Sequence, residues 1–347
     1  MSGAPAGAAA PLGGVPPDGS CQELDGQYRA LRDGCGAYRC ARDRVALDGP
    51  EAAGFLQGQC TQDVENLTPG AHRWALLLAP DGKVVVLVRV LRVSQEQFFL
   101  DCAGGFGEMA LARLERFKLR SKVAITAWSD PGIALRGEQA QEATAGWLGL
   151  SPGALSAQDV AVERGGNWVF GYEWNGVRGV DVLGADPSVA VPTQAQWCTD
   201  TAWEALRVEA GIPAMGKELD ERTIPAEAGL LDATVSFTKG CYTGQELVAR
   251  LESRGNRVAR RLRGVVLLDA HPGIDGASGV VGAALYHEGS QKAAGVCTSA
   301  AWCPGLGAVA ALAYVHRSVP VPGRVRVEVP DRPTQRWAAE VRELPLR

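Results

Sequence analysis

Histidine and closely paired cysteines are scarce in this sequence, and both shortages argue against a metal site. The chain has 4 histidines in 347 residues. Its 9 cysteines include no C-x-x-C pair, and the spacings of Cys35 to Cys40 and of Cys297 to Cys303 are too open for a typical zinc knuckle. An odd number of scattered cysteines in a chain of this size favours a reducing compartment. We therefore expect no metal ligands and a cytoplasmic protein.

Positive charge and long apolar runs are also in short supply. The chain has 35 Lys and Arg against 39 Asp and Glu, a net charge of -4, so it lacks the overall basic excess of a protein that tracks nucleic-acid phosphates. Apolar runs such as 74–79 and 84–88 fall far short of the roughly 20 residues that span a bilayer. We expect neither a nucleic-acid nor a membrane partner.

Residues 1–24 lack Lys and Arg and are rich in Gly, Ala and Pro, which is unlike a secretory or transit peptide. We expect a disordered tail there. The remaining length exceeds what one core usually organises. We predict two interleaved α+β domains over 25–130 and 131–256, with the chain crossing between them, and a C-terminal β-barrel over 257–347.

Local signals support this α+β division. Asn175-Gly176 predicts a type I′ hairpin, because both central positions of that turn need positive φ. A helix is predicted from about 107 to 119, with Met109, Leu114 and Phe117 on one face. A second helix, "DTAWEALRVEA", is predicted to be capped by Asp200 and stopped by Gly211.

The stretch "KGCYTGQE" places Cys241 just ahead of a predicted helix. Thr243 and Glu246 have the spacing of a capping box, which puts the cysteine two residues before the N-cap. The helix N-terminus and the ammonium of Lys239 would both favour the thiolate form of an exposed Cys241. The competing interpretation is a structural role, in which Cys241 is a buried cysteine in a tight glycine turn.

The same octapeptide resembles the signature K-G-C-Y-x-G-Q-E of the YgfZ family of folate-binding iron-sulfur cluster maturation proteins. Further stretches between about 45 and 319 are similar to the same family: "LDGPEAAGFLQGQCTQDVENLTPG", "LRVEAGIPAMGKELDERTIPAEAGLLDATVSF", "ARLESRGNRVARRLRG" and "AGVCTSAAWCPGLGAVAALAYV". The motif residues besides Cys241 and Lys239 are Gly240, Tyr242, Gly244, Gln245 and Glu246. The wider superfamily includes the glycine-cleavage T-protein, an aminomethyltransferase.

This resemblance implies a three-domain ring around a channel that holds tetrahydrofolate or a derivative. It implies that Glu209, in "LRVEAG", binds the pterin, since a carboxylate can accept two parallel N–H donors. Glu209 is also unusual by position, because a negative charge in the last turn of a helix opposes the macrodipole; the alternative is an exposed glutamate that tolerates this penalty. Tyr172 resembles a T-protein folate contact more loosely, and a packed strand tyrosine is the competing interpretation.

The resemblance also implies a function, with Cys241 as the key residue and Lys239 as its candidate catalytic neighbour. The protein would be a monomer that contacts iron-sulfur client or assembly proteins transiently and supports cluster assembly or repair. If it is an enzyme, it would be a folate-dependent one-carbon or thiol-group transferase. T-protein aminomethyl transfer is the runner-up, but Val86 and Leu87 stand where the T-protein has an acidic pair, and neither can exchange a proton.

Two other classes remain. Gly105, Gly107 and Ala110 have the spacing of a dinucleotide-binding turn, with Asp130 as the acidic partner, and would indicate an NAD-dependent enzyme. The preceding strand belongs to a meander, however, whereas that fold needs parallel strands. A structural interaction protein that keeps the ring but binds no ligand is the third hypothesis.

Overall fold

The computed structural model of the protein describes residues 19–155, 159–184, 191–269, 277–287, 289–329 and 332–346. Within these ranges the helices are α1 Gly19–Arg32, α2 Ala52–Gln57, α3 Gly107–Lys118, α4 Ala140–Leu148, α5 Asp200–Ala210, α6 Leu231–Thr234 and α7 Gln245–Glu252. No described helix is long and apolar enough to cross a bilayer. Helix α1 begins inside the tail predicted for 1–24, and residues 1–18 lie outside the described ranges.

The strands of the N-terminal two thirds are β1 Gly36–Asp48, β2 His72–Leu78, β3 Val84–Arg92, β4 Gln97–Ala103, β5 Ala124–Arg136, β6 Ala161–Arg164, β7 Asn167–Trp174, β8 Val177–Leu183 and β9 Gln196–Trp197. They form one sheet in the order β2-β3-β4-β1-β5-β8-β7-β6, with β9 paired to β1. Apart from the parallel β1–β9 pair, neighbouring strands are antiparallel. The two halves of the predicted α+β region therefore share a sheet.

Strands β1 and β5 join these halves. Each has 13 residues, and they pair along their whole length, from Gly36 opposite Arg136 to Asp48 opposite Ala124. Residues Arg42–Asp48 of β1 also pair with β4, on the other side of the strand. Residues Gly132–Arg136 of β5 also pair with β8. The boundary predicted at residue 130 falls inside β5.

The C-terminal strands are β10 Arg260–Leu267, β11 Ala284–His287, β12 Ala293–Cys303, β13 Ala308–His316, β14 Gly323–Val329 and β15 Arg332–Arg342. They close into a barrel in the order β10-β13-β12-β11-β14-β15. The α+β fold with a C-terminal β-barrel is thus confirmed.

Most local predictions hold, and the exceptions have simple causes. Asn175 and Gly176 have φ of 48° and 76°, and Gly211 ends α5 with φ of 70°. The N-cap of α5 is Thr199 rather than Asp200, because the Thr199 side chain accepts the Ala202 N–H and Asp200 is already helical. The prediction that Met109 shares one face of α3 with Leu114 is wrong, since Met109 is 45% exposed. The buried side contains Ala110, Arg113 and Leu114.

Candidate functional site

Cys241 is exposed, and it is the one exposed cysteine among the eight that the structure describes. Burial raises the pKa of the Cys35 thiol to about 11 and those of Cys102 and Cys297 to about 12. The interpretation of Cys241 as a buried cysteine in a tight turn is therefore wrong. Its thiol is open to a solvent-borne reagent or to a partner.

Lys239 anchors the loop that carries Cys241. Its ammonium donates to the backbone carbonyls of Gln57, Cys60 and Gln62 at 2.6, 2.9 and 2.9 Å. Three donors on three acceptors satisfy the whole ammonium group. Burial lowers the pKa of Lys239, and the nearby Cys60, Asp63 and Glu65 oppose that shift. The lysine thus fixes the loop to the segment after α2, and its catalytic role remains a prediction.

The helix after Cys241 begins differently from the predicted capping box. Gly244, with φ of 85°, is the N-cap of α7, and no side chain caps it. The Thr243 hydroxyl instead lies 3.4 Å from Oε1 of Gln59, and Oε1 of Gln245 accepts the N–H of Tyr242 at 3.3 Å. Cys241 therefore lies three residues before the N-cap, one residue further than predicted.

Gly244 is required by its surroundings. Its φ lies in the left-handed region, and an added Cβ would be 2.5 Å from the carbonyl oxygen of Ala79 and 3.3 Å from Cα of Gly82. Gly240 differs, since an added Cβ would meet nothing within 4 Å and its φ is not positive. The loop is thus held between the segment after α2 and the β2–β3 turn, with open space beside Gly240.

Glu209 is buried at 2% exposure, so its interpretation as an exposed surface glutamate is wrong. Its Oε2 accepts the Tyr28 hydroxyl at 2.6 Å, and Arg32 donates to the same hydroxyl at 3.3 Å. Burial, followed by the hydrogen bond to Glu209, raises the pKa of Tyr28. This chain of donors offsets the unfavourable position of the carboxylate at the end of α5.

A cavity of about 310 Å³ opens beside this carboxylate. Its lining includes Arg32 and Leu31 from α1, Glu209 and Leu206 from α5, and Gly305 from the β12–β13 hairpin of the barrel. A Cβ at Gly305 would overlap the Tyr28 hydroxyl and lie 2.7 Å from Oε2 of Glu209. The cavity therefore has a buried carboxylate and a guanidinium on its wall, and the absence of a side chain at 305 makes room for them.

Tyr172 packs in the core of the sheet, away from the wall of this cavity among the described residues. The guanidinium carbon of Arg136 lies 3.6 Å from the centroid of its ring, and burial raises the pKa of Tyr172 to about 12. The packed-tyrosine interpretation describes these contacts, and the assignment to folate stays an untested prediction.

Four buried charges and the partly buried Arg42 form a network across the sheet near Tyr172. Asp101 accepts from Arg42 and Arg89, and Asp181 accepts from Arg89 and Arg136. Burial opposes the ionisation of Asp181, but the arginines outweigh it and lower its pKa. Both carboxylates are therefore engaged in ion pairs with two arginines each.

Val86 and Leu87, which replace the acidic pair of the T-protein, bring no proton-exchanging group to β3. Val86 is fully buried in the core of its half of the sheet. Leu87 packs against the neighbouring core, where its N–H lies 3.4 Å from Sδ of Met215.

The glycine turn that imitates a dinucleotide site is already occupied by a carboxylate of the protein. Oδ2 of Asp43 accepts the N–H groups of Gly105 and Gly107, each at 2.8 Å. Asp130 pairs with Arg44, and the strand before the turn, β4, is antiparallel to both of its neighbours. The turn cannot offer these N–H groups to a pyrophosphate, so the NAD hypothesis is wrong at this turn.

With this geometry established, comparison with known proteins defines the class. Residues 24–156 match the GCVT N-terminal domain. The crystal structure of glycine cleavage system aminomethyltransferase T from Bartonella henselae superposes with a TM-score of 0.78, covering 93% of this chain and 89% of that one at 22% identity. The protein has the fold of the T-protein superfamily.

Within that class several similar curated proteins carry the same name. The tRNA-modifying protein YgfZ of Klebsiella pneumoniae (strain 342) is 32% identical over 224 residues, 61% of this chain and 65% of the relative. That of Enterobacter sp. (strain 638) is 30% identical over 216 residues, again 61% and 65%. The matched region thus spans about two thirds of the length of these relatives at most. The resemblance to the YgfZ family, within the T-protein superfamily, is confirmed.

Proposed function

We propose that this chain is a cytoplasmic, tetrahydrofolate-binding protein that supports the assembly or repair of iron-sulfur clusters in client enzymes. One observation carries the proposal, namely that the single exposed thiol among the described cysteines lies in the loop that Lys239 fastens to the sheet domain. A thiol in this position is available to a sulfur or iron ligand of a partner protein, while its backbone is held in place.

The folate site is the cavity beside Glu209. A reduced pterin presents a ring N–H next to an exocyclic amino group, and a buried carboxylate accepts such a pair well. Oε2 of Glu209 already accepts the Tyr28 hydroxyl, which fixes the orientation of the carboxylate. Arg32, on the same wall, supplies a donor for a carbonyl of the ligand. The structural similarity to an aminomethyltransferase supports the fold around this cavity and says nothing of the ligand that it binds.

The alternative is aminomethyl transfer of the T-protein kind. It would need an acid or base at the folate, and the contacts of β3 count against it because Val86 and Leu87 are apolar. The nearby Asp101 and Asp181 are each tied to two arginines. We therefore favour the maturation role over this transfer.

The relatives are named tRNA-modifying proteins, and under this proposal a change in tRNA modification would be an indirect effect of sustaining iron-sulfur enzymes. A protein that sustains iron-sulfur enzymes would change tRNA whenever one of those enzymes acts on tRNA. Modified tRNA would then be the product of a client, and this chain would contact the client transiently as a monomer.

Complementation tests the proposal. In a host strain deleted for its own copy, the wild-type gene should restore iron-sulfur enzyme activity, and Cys241→Ser should not, because a serine hydroxyl cannot ionise or bind iron as a thiolate does near neutral pH. Cys198→Ser is the matched control, since Cys198 is only partly exposed. Equal complementation by Cys241→Ser would exclude sulfur chemistry at this residue.

A further inference from the structure

A second cavity, of about 810 Å³, lies between the barrel and the segment that follows α5. Its wall includes Lys217 from that segment and Val296 near the start of β12. The cavity beside Glu209 instead includes Gly305, which lies beyond the other end of β12. The two cavities are therefore distinct, and the volume of the second is within the roughly 300 to 1,000 Å³ of small-molecule sites.

Arg260 presents an oriented guanidinium to this cavity. The guanidinium carbon lies 4.6 Å from the centroid of the Tyr314 ring, and Nε donates to Oε2 of Glu227 at 2.9 Å. These two contacts fix the plane of the group, while Nη1 and Nη2 have no hydrogen-bond partner among the described residues. The side chain is 40% exposed. Its outer N–H groups are thus available to the oxygens of a carboxylate or phosphate ligand.

Arg260 shares one face of the barrel with His316. The two residues stand directly opposite each other on β10 and β13. Residues in that position have Cβ atoms about 5 Å apart on the same side of the sheet. Tyr314, two residues before His316, lies on this side as well and stands opposite Val296 of β12. All four residues line the same cavity.

His316 and Lys292 add two further donors to this wall. Nδ1 of His316 accepts the backbone N–H of Ser318 at 3.2 Å. Because a backbone N–H can only donate, the proton of the neutral ring is on Nε2, which is therefore a donor. Lys292 is exposed, lines the same cavity and forms no ion pair with a described residue.

The acidic side chains of the wall are already engaged. Glu218 accepts from the guanidinium of Arg207 and from two hydroxyls of β12. Asp220 pairs with Arg222 at 2.8 Å, and Glu227 accepts Nε of the arginine described above. The donors that remain available among the described residues are cationic or N–H groups, so the cavity favours an anion.

We propose that this cavity is a second ligand site, which binds a small organic phosphate through Arg260, Lys292 and His316. A phosphate monoester has three terminal oxygens and close to two negative charges near neutral pH, so it can accept from all three groups. A carboxylate has two oxygens and one charge. Ala294 and Val296 line the same cavity, and Val296 is 47% exposed. These apolar side chains would contact the organic body of the ligand.

The test is isothermal titration of the full-length protein with phenyl phosphate, in a phosphate-free, low-salt buffer near neutral pH. Benzoate and inorganic phosphate are the comparison ligands, the first without a phosphate and the second without an apolar body. The test variants are Arg260→Lys and Lys292→Gln. The matched control is Lys122→Gln, at an exposed lysine between α3 and β5. Circular dichroism checks the fold of each protein before use.

We expect wild type to bind phenyl phosphate about tenfold more tightly than benzoate, because the phosphate offers more oxygens and more charge to the same donors. Arg260→Lys should weaken phenyl phosphate binding by about tenfold, since lysine keeps the charge but lacks the two parallel N–H groups. Lys292→Gln should weaken it by about fivefold at low salt, where charge contacts are least screened. Lys122→Gln should bind like wild type.

Two sets of outcomes would overturn the proposal. Equal affinity of phenyl phosphate with either benzoate or inorganic phosphate would refute the assignment to an organic phosphate. No binding by wild type, or the same loss in Lys122→Gln as in Lys292→Gln, would refute the site. If Arg260→Lys does not fold, Lys292→Gln decides, because that side chain is exposed. No titration contains folate or an iron-sulfur enzyme, so this proposal and the proposed function can fail independently.

Discussion

The Tyr28 hydroxyl donates to Oε2 of Glu209 across 181 positions of sequence and a distance of 2.6 Å. The contact joins the first helix of the sheet domain to the helix that packs on the barrel. It holds a carboxylate at a helix end that electrostatics alone disfavours. The proposed folate site therefore depends on an N-terminal residue that no motif had singled out.

The first prediction concerns this carboxylate. Glu209→Gln keeps the shape and still accepts from Tyr28, but it replaces one acceptor with a donor. We expect tetrahydrofolate affinity to fall by about 1.5 to 3 kcal/mol, the scale of a hydrogen bond to a charged group. Isothermal titration measures the change, with the exposed Glu142→Gln as a control. Unchanged affinity in Glu209→Gln would remove this residue from the site.

Gly305→Ala tests the same cavity from the β12–β13 hairpin of the barrel. Its Cβ would lie against Tyr28 and Glu209, so folate binding should weaken. Gly146→Ala, where a Cβ meets nothing within 4 Å, should bind folate like wild type. If Gly305→Ala binds normally, the ligand lies elsewhere.

The second prediction is that iodoacetamide at neutral pH modifies Cys241 before the other described cysteines. Cys40 and Cys198 are partly exposed. They should nevertheless react slowly, because burial raises their pKa values to about 12 and about 11. Only thiolates react readily. Mass spectrometry after brief alkylation locates the label, in a Cys21→Ser background that removes the one cysteine whose side chain lies outside the described residues. Early labelling of Cys40 or Cys198 would contradict this order.

The third prediction separates Gly240 and Gly244, the two glycines on either side of residues 241–243. Gly244→Ala should lower the free energy of unfolding by about 1 kcal/mol or more, because of its positive φ and the contact with Ala79. Gly240→Ala should leave stability near wild type. Urea unfolding compares them. If Gly240→Ala nevertheless loses complementation, a partner approaches the thiol closely from that side.

The fourth prediction uses the buried His72. Burial lowers its pKa to about 3, and Arg89 and Arg73 add to the shift. Between about pH 6.5 and pH 3 the unfolded chain therefore binds more protons at this residue than the folded protein, and stability falls as the pH falls. From pH 7 to pH 5 the loss from His72 is about 2 kcal/mol.

His72→Phe should remove that part of the pH dependence. Both ring nitrogens lack a hydrogen-bond partner among the described residues, and the ring packs edge-on against Phe170 at 5.3 Å between centroids. A phenyl ring keeps this packing and deletes the titration. Urea unfolding at pH 7 and pH 5 measures both proteins, and identical pH dependence would show that His72 titrates normally in the fold.

The fifth prediction is that the purified protein does not form methylene-tetrahydrofolate from an aminomethyl-loaded carrier protein and tetrahydrofolate. The reason is the apolar pair Val86 and Leu87, with Asp101 and Asp181 held by arginines. The assay follows product at catalytic protein concentrations beside an active T-protein. Formation at a comparable rate would show that another carboxylate serves.

The sequence predicts local structure well where one residue decides it. Asn175-Gly176 and Gly211 need positive φ, and both turns form as expected. The capping box at Thr243 was wrong because contacts distant in sequence decide that turn: the β2–β3 turn packs on Gly244, and Gln59 lies beside the Thr243 hydroxyl. Periodicity likewise missed that Arg113 is buried in α3, where it donates to the Leu78 carbonyl at 2.7 Å.

The sequence identified the motif residues of the candidate site but not the residues that they contact in the fold. The exposure of Cys241 and the burial of Glu209 follow from packing among segments that no local pattern connects. Lys239 was expected beside the thiol, yet its ammonium binds carbonyls of the loop after α2. The expectation of no nucleic-acid partner rested on total charge and stays a prediction.

The pairing of β1 with β5 along 13 residues has a mechanical consequence. Two lobes that share uninterrupted strands cannot hinge against each other without breaking many backbone hydrogen bonds together. Amides of β1 and β5 should accordingly be among the slowest in the chain to exchange with deuterium. Any opening that admits a folate would then occur at the seam between α5 and strand β12 of the barrel, which pack together without strand pairing.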